Sequence, residues 1–275
     1  MTISNTDCPL IMGVVNITPD SFYPLSRTEP SKIVDKSIED QYADIIDIGC
    51  ESSRPGAGTV TEKNELSRLA QYLDNTINLP KMLSIDTYKP AVAKFALENG
   101  FNMINDIQSG RDNGLMLNLA AEYDCPIVLM HMKGVPATMQ DNPSYNDIMG
   151  EIKYFFEKKL KVAQSLGIKE KNIILDPGIG FGKRVEDNDV ILNNLETLKQ
   201  FDHPILIGLS RKSFLSVNGD GPESRLPATL GATVLAIQKG ADILRVHDII
   251  ATYKLKKILQ RINNLNLNKN EIFHN

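Results

Sequence analysis

The fold class predicted for this chain is α/β, a single (β/α)8 TIM barrel, and three observations predict it. Short apolar runs alternate with longer amphipathic ones, the cycle can be counted eight times, and the 275 residues suit a fold that takes roughly 250 residues as one domain. Strands alternating with helices imply a parallel sheet with right-handed crossovers, and eight repeats in this length favour a closed barrel over an open doubly wound sheet.

The strands are expected at Leu10–Ile17, Asp44–Cys50, Lys81–Thr87, Met103–Ile107, Pro126–Met132, Asn172–Pro177, Pro204–Ser210 and Ile243–Asp248. Helices are expected near Ser31–Ala43, Glu62–Asn75, Lys89–Asn99, Gly114–Glu122, Ser144–Leu166, Asn188–Lys199, Leu226–Lys239 and Ile249–Asn263, with stop signals at Gly100, Gly167 and Gly240. The sixth repeat shows the logic best. In NIILDPGIGFGK (Asn172–Lys183) an apolar run without alternation reads as a strand covered on both faces. Asp176 then ends the run, Pro177 ends the ladder, and Gly178, Gly180 and Gly182 leave backbone that a ligand can approach closely. The turn is neither a P-loop, because Pro177 and Arg184 stand where that motif needs Gly and Ser or Thr, nor a dinucleotide fingerprint, because Lys183 stands where it needs Gly. Long connections follow the first two strands, Thr18–Pro30 and Glu51–Thr61, and are lid candidates. No linker or composition shift marks a second domain, and the Asn- and Lys-rich tail Asn264–Asn275 is expected to fray.

Thirty basic against thirty-four acidic residues give a net charge of −4 without long runs of either sign, so no nucleic-acid or anionic-membrane surface is expected. Cys8, Cys50 and Cys125 are odd in number and widely spaced, which fits a reducing cytosol. Neither a secretory leader nor a membrane-spanning apolar stretch is recognisable, so the chain is read as cytoplasmic.

In a barrel the C-terminal strand ends form the active face. Here they carry Asn16; Glu51, Ser52, Ser53 and Arg54; Asp86; Asn105 and Asp106; His131 and Lys133; Asp176; Ser210, Arg211 and Lys212; and Arg245, His247 and Asp248. A helix cap explains any one of them, but not a polar residue at every end. Strand parity turns Arg245 and His247 to one side, likewise Ser84 and Asp86, and Ser210 with Lys212 if the seventh strand extends that far. With Asn16, the cations Arg54, Arg245 and His247 suit a phosphate or diphosphate; the plainer reading is surface cations paired with helix carboxylates. Asp86, Asn105, Asp176 and Lys212 combine acceptors and a donor suited to a nitrogen-rich heterocycle, and Phe181 offers a face or edge to a flat ring. His131 is read as structural ahead of a base, Cys50 as a small hydrophobe, and His203 and His274 as bystanders.

The segments MGVVNITPDSF (Met12–Phe22), DIGCESSRPGA (Asp47–Ala57), SIDTYKPAVA (Ser84–Ala93), MINDI (Met103–Ile107), VLMHMKG (Val128–Gly134), LDPGIGFGK (Leu175–Lys183), GLSRKSF (Gly208–Phe214) and RVHDI (Arg245–Ile249) together resemble the dihydropteroate synthase family of folate biosynthesis, all eight in order. The resemblance implies a transferase that joins 7,8-dihydropterin-6-ylmethyl diphosphate to 4-aminobenzoate and releases diphosphate. It implies that Asp86, Asn105, Asp176 and Lys212 hold the pterin in a slot lined by Ile107, Met130 and Gly208. It further implies that Asn16, Arg54, Arg245 and His247 hold the diphosphate, that Asn16 meets Mg²⁺, and that Ser53, Pro55, Phe181 and Ser213 border the aminobenzoate. Asp86, Lys212, Arg245 and His247 are the expected catalytic groups, and the resemblance implies a homodimer of a type that is a sulfonamide target. Two other readings stay open: a pterin-binding methyltransferase, and a paralogue that binds pterin without turnover. Tyr23–Arg27 stands where the family carries a Ser-Asp-Gly-Gly turn, Cys50 where it carries Gly and Ser53 where it carries Thr.

Overall fold

The computed structural model describes residues 8–17, 42–51, 58–74, 82–136 and 138–272, the side chains of 264–272 excepted. Its strands are β1 Leu10–Asn16, β2 Ile45–Gly49, β3 Met82–Asp86, β4 Met103–Asp106, β5 Ile127–Met130, β6 Ile173–Asp176, β7 Leu206–Ile207 and β8 Ile243–Val246. All are parallel, in the order β6-β5-β4-β3-β2-β1-β8-β7. The two ends of that order meet: Leu175 bridges Ile205 and its N–H donates to the Pro204 carbonyl at 2.9 Å, so the sheet closes on itself. The expected α/β TIM barrel is the observed fold.

Closure follows from the apolar runs. Alternate residues of each strand face inward, where Met12, Ile45, Met103, Val128, Ile174, Leu206 and Ile243 plug the lower barrel. The residues between them, among them Ile11, Ile46, Ile48, Ile85 and Ile104, face outward and meet the helices in the larger core. The described helices are α1 Glu62–Asp74, α2 Pro90–Glu98, α3 Leu115–Glu122, α4 Ile148–Ser165, α5 Val185–Asn193, α6 Leu226–Gln238 and α7 Ile249–Ile272.

Four of these helices stop in the same way. Gly100, Gly167 and Gly240 have φ of 94°, 83° and 89°, and Asp124 has φ 47°, which is the left-handed residue that ends a helix. One residue later the chain folds back, with N–H groups of Phe101, Ile168, Ala241 and Cys125 donating to the carbonyls of Ala96, Ala163, Ala236 and Ala120 at 2.9–3.2 Å. All eight of these residues are buried, so each reversal delivers the chain straight into the core and the next strand.

Several boundaries differ from expectation. The helix after β6 begins at Val185 rather than Asn188, because Asp187 accepts the Arg184 N–H at 2.9 Å and caps it early, and a 3-10 segment Leu195–Phe201 replaces its second half. The seventh strand ends at Ile207, because the Leu209 carbonyl accepts the Lys212 N–H at 3.2 Å in a turn instead of continuing the ladder; Ser210 and Lys212 therefore share no strand face. Tyr42 and Ala43, at the end of the first expected helix, are not helical, and the rest of Ser31–Ala43 lies outside the described residues. The last helix runs past Asn263 to Ile272, into the stretch read as a fraying tail. Among the described residues no helix is long and apolar enough to cross a membrane.

Candidate active site

Above the apolar plug the inward-facing positions become polar. The parity that turns Ile45, Met82, Met103, Ile174 and Ile243 inward also turns inward Asp47, Ser84 and Asp86, Asn105, Asp176 and Arg245, two or four residues nearer the strand ends. Arg245 is the hub. Its Nε donates to Asp47 Oδ2 at 2.7 Å and an NH2 hydrogen donates to Asp86 Oδ2 at 2.6 Å, while Asn105 Nδ2 donates to the same Asp47 oxygen at 2.9 Å. Burial pushes the Asp86 carboxyl up to about 7; Arg245 pulls it back, and Asp47, Glu65 and Asp106 add to the push. Burial opposes the Arg245 charge, but Asp47 and Asp86 outweigh it and raise the guanidinium above its ordinary range. Asp47 was absent from the expected site; a lone acid inside the apolar run of β2, on the face shared with Gly49, is the signal that marks it.

The glycine-rich turn after β6 closes the opposite wall. Asp176 Oδ1 accepts the Gly178 N–H at 2.7 Å, and burial raises this carboxyl while Lys212 draws it down. Lys183 is buried behind the turn, where its Nζ meets His131 Nδ1 at 3.1 Å, the His131 carbonyl at 3.1 Å and the Phe181 carbonyl at 3.0 Å. Burial lowers Lys183 to about 7 and His131 to about 2, so His131 is a neutral ring that accepts at Nδ1: a structural part, as expected. Gly178 has φ 70°, and a Cβ there would collide with the His131 carbonyl; Gly182, at φ 61°, would meet the Lys133 carbonyl in the same way. Lys212 reaches across to donate to the Ile179 carbonyl, sits 4.8 Å over the Phe181 ring, and is lowered to about 8 by burial, with Asp176 opposing. Ile107, Met130, Met132 and Met139 form a small apolar cluster under these groups, with Tyr88 and Phe181 packed on it. The mouth is therefore a slot beside an apolar cluster, with the Asp86 carboxylate and the Asn105 amide on one side and the Asp176 carboxylate next to the Lys212 ammonium on the other.

Of the remaining expected residues, Gly208 lies beside Lys212 and Arg245, with a Cβ position 3.7 Å from Lys212 Nζ and 3.9 Å from Arg245 Cβ. Ser213 is exposed on a 3-10 turn, and His247 is exposed just past β8 with its N–H donating to Ser210 Oγ at 3.2 Å. Asn16 ends β1 with its Oδ1 across Gly49 from Asp86. Ser53, Arg54 and Pro55 lie outside the described residues, as do most of both lid candidates and Tyr23–Arg27. Some polar strand ends serve the scaffold instead. Arg211 is paired with Asp248 through two hydrogen bonds of 2.8 and 2.7 Å, and Lys89 holds Glu51 and the buried Glu65 at the base of the second loop. Burial pushes the Cys50 thiol up to about 12, which makes it the inert filler expected.

Comparison with known proteins agrees with this geometry. The family model described as pterin binding enzyme matches residues 12–247. A dihydropteroate synthase of Synechocystis is 41% identical over 256 residues, covering 90% of this chain and 88% of that protein. The Yersinia pestis dihydropteroate synthase, solved in a sulfonamide drug complex, superposes with a TM-score of 0.87 at 35% identity, covering 96% of each chain. That of Clostridium difficile, solved in the presence of pteroic acid, gives 0.82 at 39% identity over 93% of this chain and 97% of the other. The chain belongs to the pterin-binding enzymes, and among them to the dihydropteroate synthase family.

Proposed function

We propose that this chain condenses 7,8-dihydropterin-6-ylmethyl diphosphate with 4-aminobenzoate to give 7,8-dihydropteroate and diphosphate. One observation carries the reading: the barrel mouth brings the Asp86 and Asp176 carboxylates, the Asn105 amide and the Lys212 ammonium together beside the apolar cluster of Ile107 and Met130. A dihydropterin is flat, rich in N–H groups along one edge, and has a carbonyl on the other; that slot matches it group for group. The pteroic acid and sulfonamide found with the relatives support the same pairing of ring and aromatic amine. Phe181 and Ser213, with Ser53 and Pro55, border the aminobenzoate, and a sulfonamide takes that place as an analogue.

The C–O bond to diphosphate breaks as the aminobenzoate nitrogen forms its bond to the methylene carbon, and the amine proton is lost to solvent. The pterin ring shares the positive charge that develops on the carbon, so no covalent enzyme intermediate is needed. Asp86 and Asp176 stabilise that charge through the ring, Lys212 fixes the ring's orientation, and Arg245, His247 and Arg54 meet the charge of the departing diphosphate. Mg²⁺ is assigned to Asn16: the Asn16 carbonyl oxygen and the Asp86 carboxylate flank Gly49, 3.6 and 3.5 Å from where its Cβ would stand, and such hard oxygen donors fit an ion that keeps most of its waters. Bound there, Mg²⁺ would neutralise part of the diphosphate charge. Cytoplasmic small molecules are the partners in this reading, and a homodimer is the working form.

The test is diphosphate release from the pterin diphosphate with and without 4-aminobenzoate, followed with product formation. Release that requires the aminobenzoate is expected. Tight pterin binding without dihydropteroate would instead establish a binding-only paralogue.

A further inference from the structure

Asp47 joins two groups of the proposed site that are far apart in the chain. It is fully buried on β2, and its Oδ2 accepts from Arg245 Nε at 2.7 Å and from Asn105 Nδ2 at 2.9 Å. A guanidinium nitrogen only donates, so the oxygen it meets is an acceptor, and the amide atom of Asn105 facing that same oxygen has to be nitrogen. Turning the amide over would bring two oxygens together in a buried place. Asp47 Oδ1 has no partner in the described structure, and neither has Ser84 Oγ, its register neighbour on β3, so nothing on the other side of Asp47 competes for its orientation.

From this geometry we propose that Asp47 is a positioning and specificity residue: it locks the Asn105 amide with its carbonyl oxygen toward the slot and tethers the Arg245 guanidinium against Asp86. With the amide so fixed, Asp86 and Asn105 both present acceptors, and this wall selects a ring edge made of N–H donors over an isosteric edge of acceptors. The inference rests on the pterin reading for its ligand but not for the geometry of the Asp47 contacts.

Asp47→Asn and the smaller Asp47→Ser are the test variants, each checked for folding by thermal unfolding. The first measurement needs no ligand: the Asn105 side-chain NH2 protons are followed by nitrogen-edited NMR and hydrogen exchange in wild type and both variants. In Asp47→Ser, which removes the acceptor, these protons exchange faster and their shifts move toward those of a free amide; unchanged shifts and exchange overturn the proposal. The second is calorimetric binding of the dihydropterin diphosphate and of 4-aminobenzoate in the ternary complex. Pterin affinity falls about tenfold or more, since a donor of the ring loses its fixed acceptor, while aminobenzoate affinity stays within about twofold. An equal fall in both ligands marks Asp47 as structural only and refutes the positioning role. If wild type binds no pterin, the proposed function fails, and the Asn105 amide signals still decide what Asp47 does.

Discussion

Gly178→Ala is the substitution whose cost the structure sets most narrowly. Gly178 has φ 70°, and a left-handed conformation costs an L-residue about 1–2 kcal/mol. The larger effect is steric: the added Cβ would overlap the His131 carbonyl oxygen and stand 3.1 Å from its carbon. That carbonyl cannot easily retreat, because Lys183 Nζ holds it at 3.1 Å and the same residue's N–H is tied to the Asp176 carbonyl at 2.9 Å. The turn has to move instead and give up the Gly178 N–H bond to Asp176 Oδ1, a contact to a charged acceptor worth about 1.5–3 kcal/mol. The sum is about 2.5–5 kcal/mol of lost stability, together with weaker pterin binding through the displaced Asp176. Gly100→Ala is the control: its φ is 94° but nothing lies within 4 Å of the new Cβ, so it costs only the conformational part, about 1–2 kcal/mol. Denaturant unfolding of both variants, with calorimetric pterin titration of the folded ones, makes the comparison. Equal losses for Gly178→Ala and Gly100→Ala would refute the claim that the His131 carbonyl and the glycine turn are rigidly locked.

Three further outcomes follow from the same wall of the barrel. Asp176→Asn keeps the size but exchanges an acceptor for a donor, so pterin affinity falls by about 1–3 kcal/mol while free diphosphate binding barely changes; calorimetry in which both fall together would make the residue structural. Arg245→Ala strips the cation from buried Asp47 and Asp86, which destabilises the fold by about 3–5 kcal/mol and moves the Asp86 midpoint upward, since its main downward influence is gone; a denaturant melt and an NMR titration read these separately. Because burial holds Asp86 near 7 against an ordinary value of 3.8, its contribution to stability is complete below about 4 and is lost as pH rises toward 7, whereas pterin binding, which uses the ionised acceptor, strengthens through the same window. Opposite pH slopes for stability and for pterin affinity between about pH 4 and 7, attenuated in Asp86→Asn, are the expected record.

The barrel was legible in the sequence because its causes are local. Runs of Ile, Leu, Val and Met long enough for one strand, followed by glycines at helix ends, state the repeat without reference to anything distant, and Gly100, Gly167 and Gly240 do adopt the left-handed stops expected of them. Parity along β3, β4, β6 and β8 likewise turned Asp86, Asn105, Asp176 and Arg245 to the mouth, since side-chain direction in a strand is decided by counting. What counting cannot give is who pairs with whom once the sheet closes. Arg245 binds Asp47 from 198 positions away, Lys183 spans 52 positions to His131, and Arg211 turns from the mouth to Asp248 at a separation of 37. Each pairing exists only because closure brings distant strand ends within a few ångströms in and around a low-dielectric mouth, where an unpaired charge is costly and a cation is drawn to a carboxylate, a carbonyl or a ring nitrogen. Composition and spacing thus determined the architecture and the chemical inventory of the mouth; tertiary closure alone decided that Asp47 belongs to it, that Arg211 does not, and which way the amide of Asn105 faces.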